Sequence, residues 1–242
     1  MSWHFLTGKS SSYQAGGGIG IQLYNSFFLL VVTLIISIPL SLGAGVYLSE
    51  YAKKGRMTNF IRTCIEILSS LPSVVVGLFG YLIFVVQFEY GFSIISGALA
   101  LTVFNLPQMT RSVEDSLRNV HHTQREAGLA LGISRWETVL HVVIPEALPS
   151  IVTGIVLASG RIFGEALAIQ MVVGNSAVIP TSLTTPAATL TSVLTMGIGN
   201  TVMGTVQNNV LWSLALVLLV MSLAFNTVIK LITREGKKNY ER

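Results

Sequence analysis

The chain has 242 residues, 51% of them hydrophobic and only 11% Asp, Glu, Lys or Arg. A water-soluble domain carries about a quarter charged residues, so lipid is the solvent around most of this chain and a soluble globular fold is excluded. The net charge of +4 points to basic loops and not to a nucleic-acid partner, and a single cysteine, Cys64, excludes an internal disulfide framework.

In chain order, the leading residues form no membrane span. Gly8-Lys9-Ser10 looks like the end of a phosphate-gripping loop, but the leading glycine would have to stand where Trp3 stands, so no ATP site is expected in this chain. The glycine-rich run from Gly16 to Gly20 follows no strand, which excludes a dinucleotide fold and leaves a flexible external lead. The stretch does not resemble a cleavable signal peptide.

A hydrocarbon core about 30 Å thick takes roughly 20 apolar residues in helical form, and backbone amides inside it must find partners within the segment. Five runs meet that length: 24–46, 67–86, 92–109, 151–173 and 210–232. The expected fold is an all-α, polytopic transmembrane helical bundle forming one domain over residues 1–242. The positive-inside rule orients it. Lys53, Lys54, Arg56 and Arg62 follow the first span, Arg111, Arg118, Arg125 and Arg135 follow the third, and Arg234, Lys237, Lys238 and Arg242 form the tail. These three segments are expected in the cytoplasm, the C-terminus included. The connections 87–91 and 174–209 lack Lys and Arg and are expected outside, as is the N-terminus.

Polar residues within the spans are candidates for a transport path. In the second, Pro72 with Ser69, Ser70 and Ser73 makes a kinked, hydroxyl-bearing patch, and in the third Asn105 accompanies Pro107. Each either lines a path or re-satisfies backbone groups that proline frees. In the fourth, Arg161 and Glu165 stand near the centre, where an ionisable residue costs at least ~2.5 kcal/mol. Four residues apart on a helix they share a face and can pair. That pair either fixes helix packing or serves an anion, since the forked guanidinium donors suit a tetrahedral oxyanion. The uncharged stretch 174–209, broken by Pro180 and Pro186, is expected to fold partly into the outer face of the membrane.

The connection 123–145 is too patterned for a plain linker. Thr123 with Glu126 and Ser134 with Glu137 match two capping boxes, and Gly132 between them is a natural helix stop, so two short helices are expected. Leu129, Ile133, Trp136 and Leu140 form an apolar stripe, which either packs on the chain's own spans or seats in a groove of another protein. His121 and His122 lack thiolate or carboxylate ligands at suitable spacing, so a solvated loop is expected and no metal site. No pairing of nucleophile and base is present, so no catalytic residue is expected.

Glu126-Ala127-Gly128, Gly132, Val142, Ile144 and Pro145 resemble the signature Glu-Ala-Ala, three residues, Gly, nine residues, Ile-x-Leu-Pro of importer permeases of the ATP-binding cassette class. The spacing matches throughout, with Gly128, Val142 and Ile144 as small or conservative departures. The resemblance implies the type I importer permease fold, with 123–145 as a coupling segment that docks on an ATPase subunit through Glu126, Ala127, Gly128, Gly132, Trp136 and Pro145. Further blocks are similar to the phosphate (Pst) permeases: Tyr47 to Ala52, Leu71 to Gly80 and Gly160 to Ala166. The run Met171-Val172-Val173-Gly174-Asn175 is closer to the C type than to the A type.

That family usually has six spans, so an earlier span is expected to be absent from this sequence. The resemblance implies a homologous permease partner, two ATPase subunits that bind the ATP, and an external phosphate-binding protein. It also implies an inner-membrane location and a transport role for Arg161 and Glu165. No cofactor is expected in the chain itself. The alternatives are the same machine for sulfate, molybdate or phosphonate, or a self-standing secondary carrier, which would also need a charged pair at mid-membrane.

Overall fold

The computed structural model describes residues 18–240 apart from residue 54, and of the side chains at 225, 226 and 228–240 nothing is described. The leading segment with Gly8-Lys9-Ser10 and Gly16, the basic Lys54 and Arg242, and the side chains of Arg234, Lys237 and Lys238 therefore lie outside the described residues.

All regular elements among the described residues are helices, as the composition demands. Helix α1 spans Gly20–Val46 and runs on as a π-helical turn, Tyr47–Tyr51. Helix α2 is Arg56–Ser70, and α3 is Ser73–Gly80 continued by a π-helical segment Tyr81–Gln87. Next come α4, Ile94–Arg118, and α5, His122–Ala130. Helix α6, Arg135–Thr138, passes through the π-helical Val139–Val143 into α7, Ile144–Gly164. The chain ends with α8, Leu167–Val172, α9, Leu190–Asn200, and α10, Val206–Tyr240.

Among the described residues, the five expected spans reduce to three helices long and apolar enough to cross a membrane: Gly20–Tyr51, Arg135–Gly164 and Val206–Ala224, with mean hydropathies of 2.4, 1.8 and 1.7. The run 67–86 is not one rod. Pro72 is extended (φ −60°, ψ 142°) and splits it into α2 and α3, bent by 102°, which make a fourth crossing only if the pair is counted as one broken span. Proline gives no N–H and holds the preceding residue out of the helical region, so the ladder stops there. The run 92–109 is helical within α4, but Asn105, Gln108 and Arg111 keep it below the apolarity of the other three. The run 151–173 breaks at Glu165 and Ala166. Helix α9 has no counterpart among the expected elements; its signal is Thr189, whose side chain accepts the Ser192 amide at 3.2 Å while the Ser192 hydroxyl accepts the Thr189 amide at 2.9 Å.

The chain divides into two compact units. The first comprises Met1–Ile36, Leu71–Phe104 and Ser159–Phe225. Its core gathers Leu29, Leu30, Leu101, Ile162, Leu190 and Leu214. Helices α3 and α8 pack closely because Gly77 has no side chain: a Cβ there would come within 2.8 Å of the Ala168 Cα. The irregular stretch of chain after Gly174 is tied down by the fully buried Asn25, whose amide donates to the carbonyls of Val178 and Ala188, both at 3.1 Å.

The second unit comprises Ser37–Ser70, Asn105–Ala158 and Asn226–Arg242. Val113, Leu117, Val120, Val143, Ala147 and Ile151 form its core. Charge enters this unit in matched form around Glu114, whose carboxylate is 8% exposed and accepts from Arg62 at 2.8 Å and Arg118 at 2.9 Å.

Replacing Asn25 with Ala leaves two loop carbonyls without their donor. The purified Asn25→Ala chain is expected to lose about 2 kcal/mol of stability, the ordinary cost of a broken buried hydrogen-bond pair. The melting temperature in detergent measures it, and an unchanged value would remove Asn25 as the loop anchor.

Candidate functional site

The segment 123–145 folds as a hairpin of helices within the second unit. Helix α5 stops where glycine was expected to stop it: Gly132 sits at φ +79°, a left-handed conformation that a side chain would strain. One of the two capping boxes forms. The Ser134 hydroxyl accepts the Glu137 amide at 3.3 Å and the Glu137 carboxylate accepts the Ser134 amide at 2.9 Å. The other does not, because α5 begins two residues early with His121 as its N-cap; Glu126 instead pairs with His122 at 3.1 Å. The second arm is not a separate short helix either, since α6 runs into α7 as one rod from Arg135 to Gly164. The π-helical stretch lies just upstream of Pro145, which has no N–H to continue an α-helical ladder.

Gly128 is the buried pivot of the hairpin. A Cβ there would come within 2.8 Å of Thr138 Cγ2 and 2.9 Å of its Oγ1, so Thr138 on the second arm occupies the space a side chain would need. The apolar stripe stays outside: Leu129, Trp136 and Leu140 are 53%, 57% and 43% exposed. Glu126, Ala127 and Pro145 are exposed as well, and only Ile133 turns partly inward.

The hairpin is fastened by residues that sequence reasoning did not single out. Arg125 on α5 holds the Glu50 carboxylate with Nη2 to Oε1 at 2.8 Å and Nε to Oε2 at 3.3 Å; the carboxylate is buried and the guanidinium partly so, with side chains 6% and 19% exposed. Arg135 on α6 donates to the Glu50 carbonyl and lies over the Tyr51 ring, 5.3 Å from its centre. The 75 residues between Glu50 and Arg125 left no periodic signal of this contact.

Arg161 and Glu165 belong to the first unit. They are not on one continuous helix, because α7 ends at Gly164. The Glu165 carboxylate turns to the start of α8, accepting the Ala168 amide at 3.3 Å, and its carbonyl accepts the Thr191 hydroxyl at 2.8 Å. The Arg161 guanidinium lies over the Phe104 ring, 4.2 Å from the ring centre. Stacking engages the face of the guanidinium plane, whereas an oxyanion is bound by N–H groups in that plane, so the two uses are compatible. Ser73 opens α3 in the same unit and is half-buried; Asn105 is fully buried in the second unit.

The family model described as the binding-protein-dependent transport system inner membrane component matches residues 37–235. The chain belongs to this family. It is 55% identical over 191 residues to the probable ABC transporter permease protein YqgI of Bacillus subtilis, a match covering 79% of this chain and 62% of that protein. It is 36% identical over 163 residues to the phosphate transport system permease protein PstA 1 of Mycobacterium tuberculosis, covering 67% and 53%. To PstA of Xylella fastidiosa it is 38% identical over 149 residues, covering 62% and 52%. The chain thus spans about half to three fifths of the length of these curated relatives. The run 171–175 leans to the C type, whereas both of these phosphate-system relatives carry the A-type name. The fold matches that of a chain in an inward-facing structure of the MetNI methionine ABC transporter, with a TM-score of 0.69 at 19% identity over 97% of this chain and 99% of that one. The all-α, type I importer permease fold is therefore the fold of this chain.

The contact of Gly128 with Thr138 makes a testable pair. Gly128→Ala alone is expected to destabilise the chain by about 1–3 kcal/mol through overpacking. Adding Thr138→Ala is expected to return most of that loss, and a purely additive double variant would show that the two positions do not share the space.

Proposed function

We propose that the chain is the permease subunit of an ATP-driven importer of inorganic phosphate in the cytoplasmic membrane, with its C-terminus in the cytoplasm. In this reading it pairs with a homologous permease, two ATPase subunits and an external phosphate-binding protein, and performs no bond chemistry itself. The observation that carries it is the hairpin: three large apolar side chains held in solvent on a capped, glycine-stopped scaffold, within a family of transport-system membrane components. Exposed apolar residues on a rigid polar frame are what a groove in a partner takes up.

Phosphate as cargo is supported by the two PstA relatives and by the chemistry of Arg161, a permanently charged, forked donor inside an apolar unit. Glu165 caps the start of α8 beyond the break after α7, and Ser73 supplies a hydroxyl to the path. A second reading is the same machine with another oxyanion, since YqgI of Bacillus subtilis, at 55% identity, is named only as a probable ABC transporter permease.

Reconstitution with its ATPase partners and the binding protein tests both. Phosphate-dependent ATP hydrolysis and uptake are expected, with sulfate, molybdate and phosphonate failing to compete. Competition by one of these reassigns the cargo, and uptake by the chain without any ATPase makes it a secondary carrier. Arg161→Lys is expected to lower uptake at least about tenfold, since the fork is lost while the charge stays. Leu129→Asp with Trp136→Asp is expected to abolish copurification with the ATPase; retained copurification would remove the stripe as the docking face.

A further inference from the structure

Two arginines, one from each arm of the hairpin, converge on two successive residues of a single π-helical turn. Arg125 of α5 grips the Glu50 carboxylate with two donors, and Arg135 of α6 takes the Glu50 carbonyl and the Tyr51 ring. Arg125 also donates to the carbonyls of Leu117 at 2.6 Å and Val120 at 2.7 Å, at the C-terminal end of α4, where a helix dipole favours a cation. The Ser49 hydroxyl adds a hydrogen bond to Glu50 at 3.1 Å. One residue, Glu50, thus meets both arms of the hairpin, the first through its carboxylate and the second through its backbone carbonyl, and Arg125 ties it to the end of α4.

The joint lies where the helix ends: the π-helical turn closes with the Ala52 amide on the Tyr47 carbonyl at 2.8 Å, and the Glu50 carbonyl, one of the last four that a helix end leaves without a ladder partner, is taken by Arg135. A π turn closes with one residue more than an α turn, and such turns recur at functional sites in helices. The end of α1, gripped by the segment that a motor would push, is placed to relay a displacement along α1.

We infer that Glu50 is a positioning residue: through Arg125 and Arg135 it makes the π-helical turn of α1 the point where movement of the hairpin enters the membrane helices. The inference rests on the docking role proposed above, and the test separates the two.

In the purified full chain carrying Cys64→Ser, nitroxide labels at residues 47 and 129, both exposed, report how the hairpin is held against α1. A narrow distance distribution is expected, broadened by Glu50→Gln and narrowed again by Glu50→Asp. A distribution unchanged by Glu50→Gln overturns the inference whatever the hairpin docks on. In the reconstituted complex, Glu50→Gln is expected to leave hydrolysis without binding protein within about twofold of wild type. Stimulation by phosphate-loaded binding protein is expected to fall about tenfold, an ordinary coupling strength. Wild-type stimulation in the variant also overturns the inference. If Glu50→Gln does not assemble, Tyr51→Ala against Tyr51→Phe decides: loss of stimulation in the first alone supports the joint, and equal behaviour refutes it. A wild-type complex with no stimulation sinks the proposed function instead, leaving the label distances to judge Glu50.

Discussion

Charge and backbone polarity in an apolar chain must be matched one group at a time, and the buried Glu50–Arg125 pair is where that constraint bears most on function. A carboxylate with a 6% exposed side chain is tolerable only with its partner in place, because removing one member of such a pair strands the other in low dielectric. The position of the hairpin is therefore tied to the end of α1 as firmly as the carboxylate needs its guanidinium. The same rule shapes the other charged cluster of the second unit, where Glu114 sits between Arg62 and Arg118.

The backbone obeys the rule as well, and its irregularities fall where a side chain can satisfy them. The break after α7 opens at Glu165, whose carboxylate takes the Ala168 amide. The irregular stretch after Gly174 is bound by the Asn25 amide, and α9 starts on the reciprocal pair of Thr189 and Ser192. Departures from regular helix in an apolar medium need such partners.

Within the hairpin, the local signals were legible. Gly132 ends α5 and Ser134 with Glu137 starts α6, because capping and a left-handed glycine depend on residues within one turn of each other. Thr123 with Glu126 carried the same pattern and did not cap, since His121 took the N-cap position and Glu126 turned to His122. A pattern three residues apart cannot say at which residue the helix begins. The Arg161 and Glu165 pair misled for a related reason: spacing of four places residues on one face only if the helix continues between them, and α7 stops at Gly164.

The amino-acid sequence alone determined that the chain is helical and lipid-solvated, where the hairpin turns, and which arginine stands in an apolar stretch, because composition, hydropathy and short-range capping are local properties. Only the tertiary structure decided that Pro72 splits a span, that Gly128 makes room for Thr138, and that Glu50 receives both arms of the hairpin. Those outcomes turn on which groups meet across tens of residues of chain, and such meetings are selected by packing and by the demand that buried charge find its counterpart, neither of which leaves a period in the sequence.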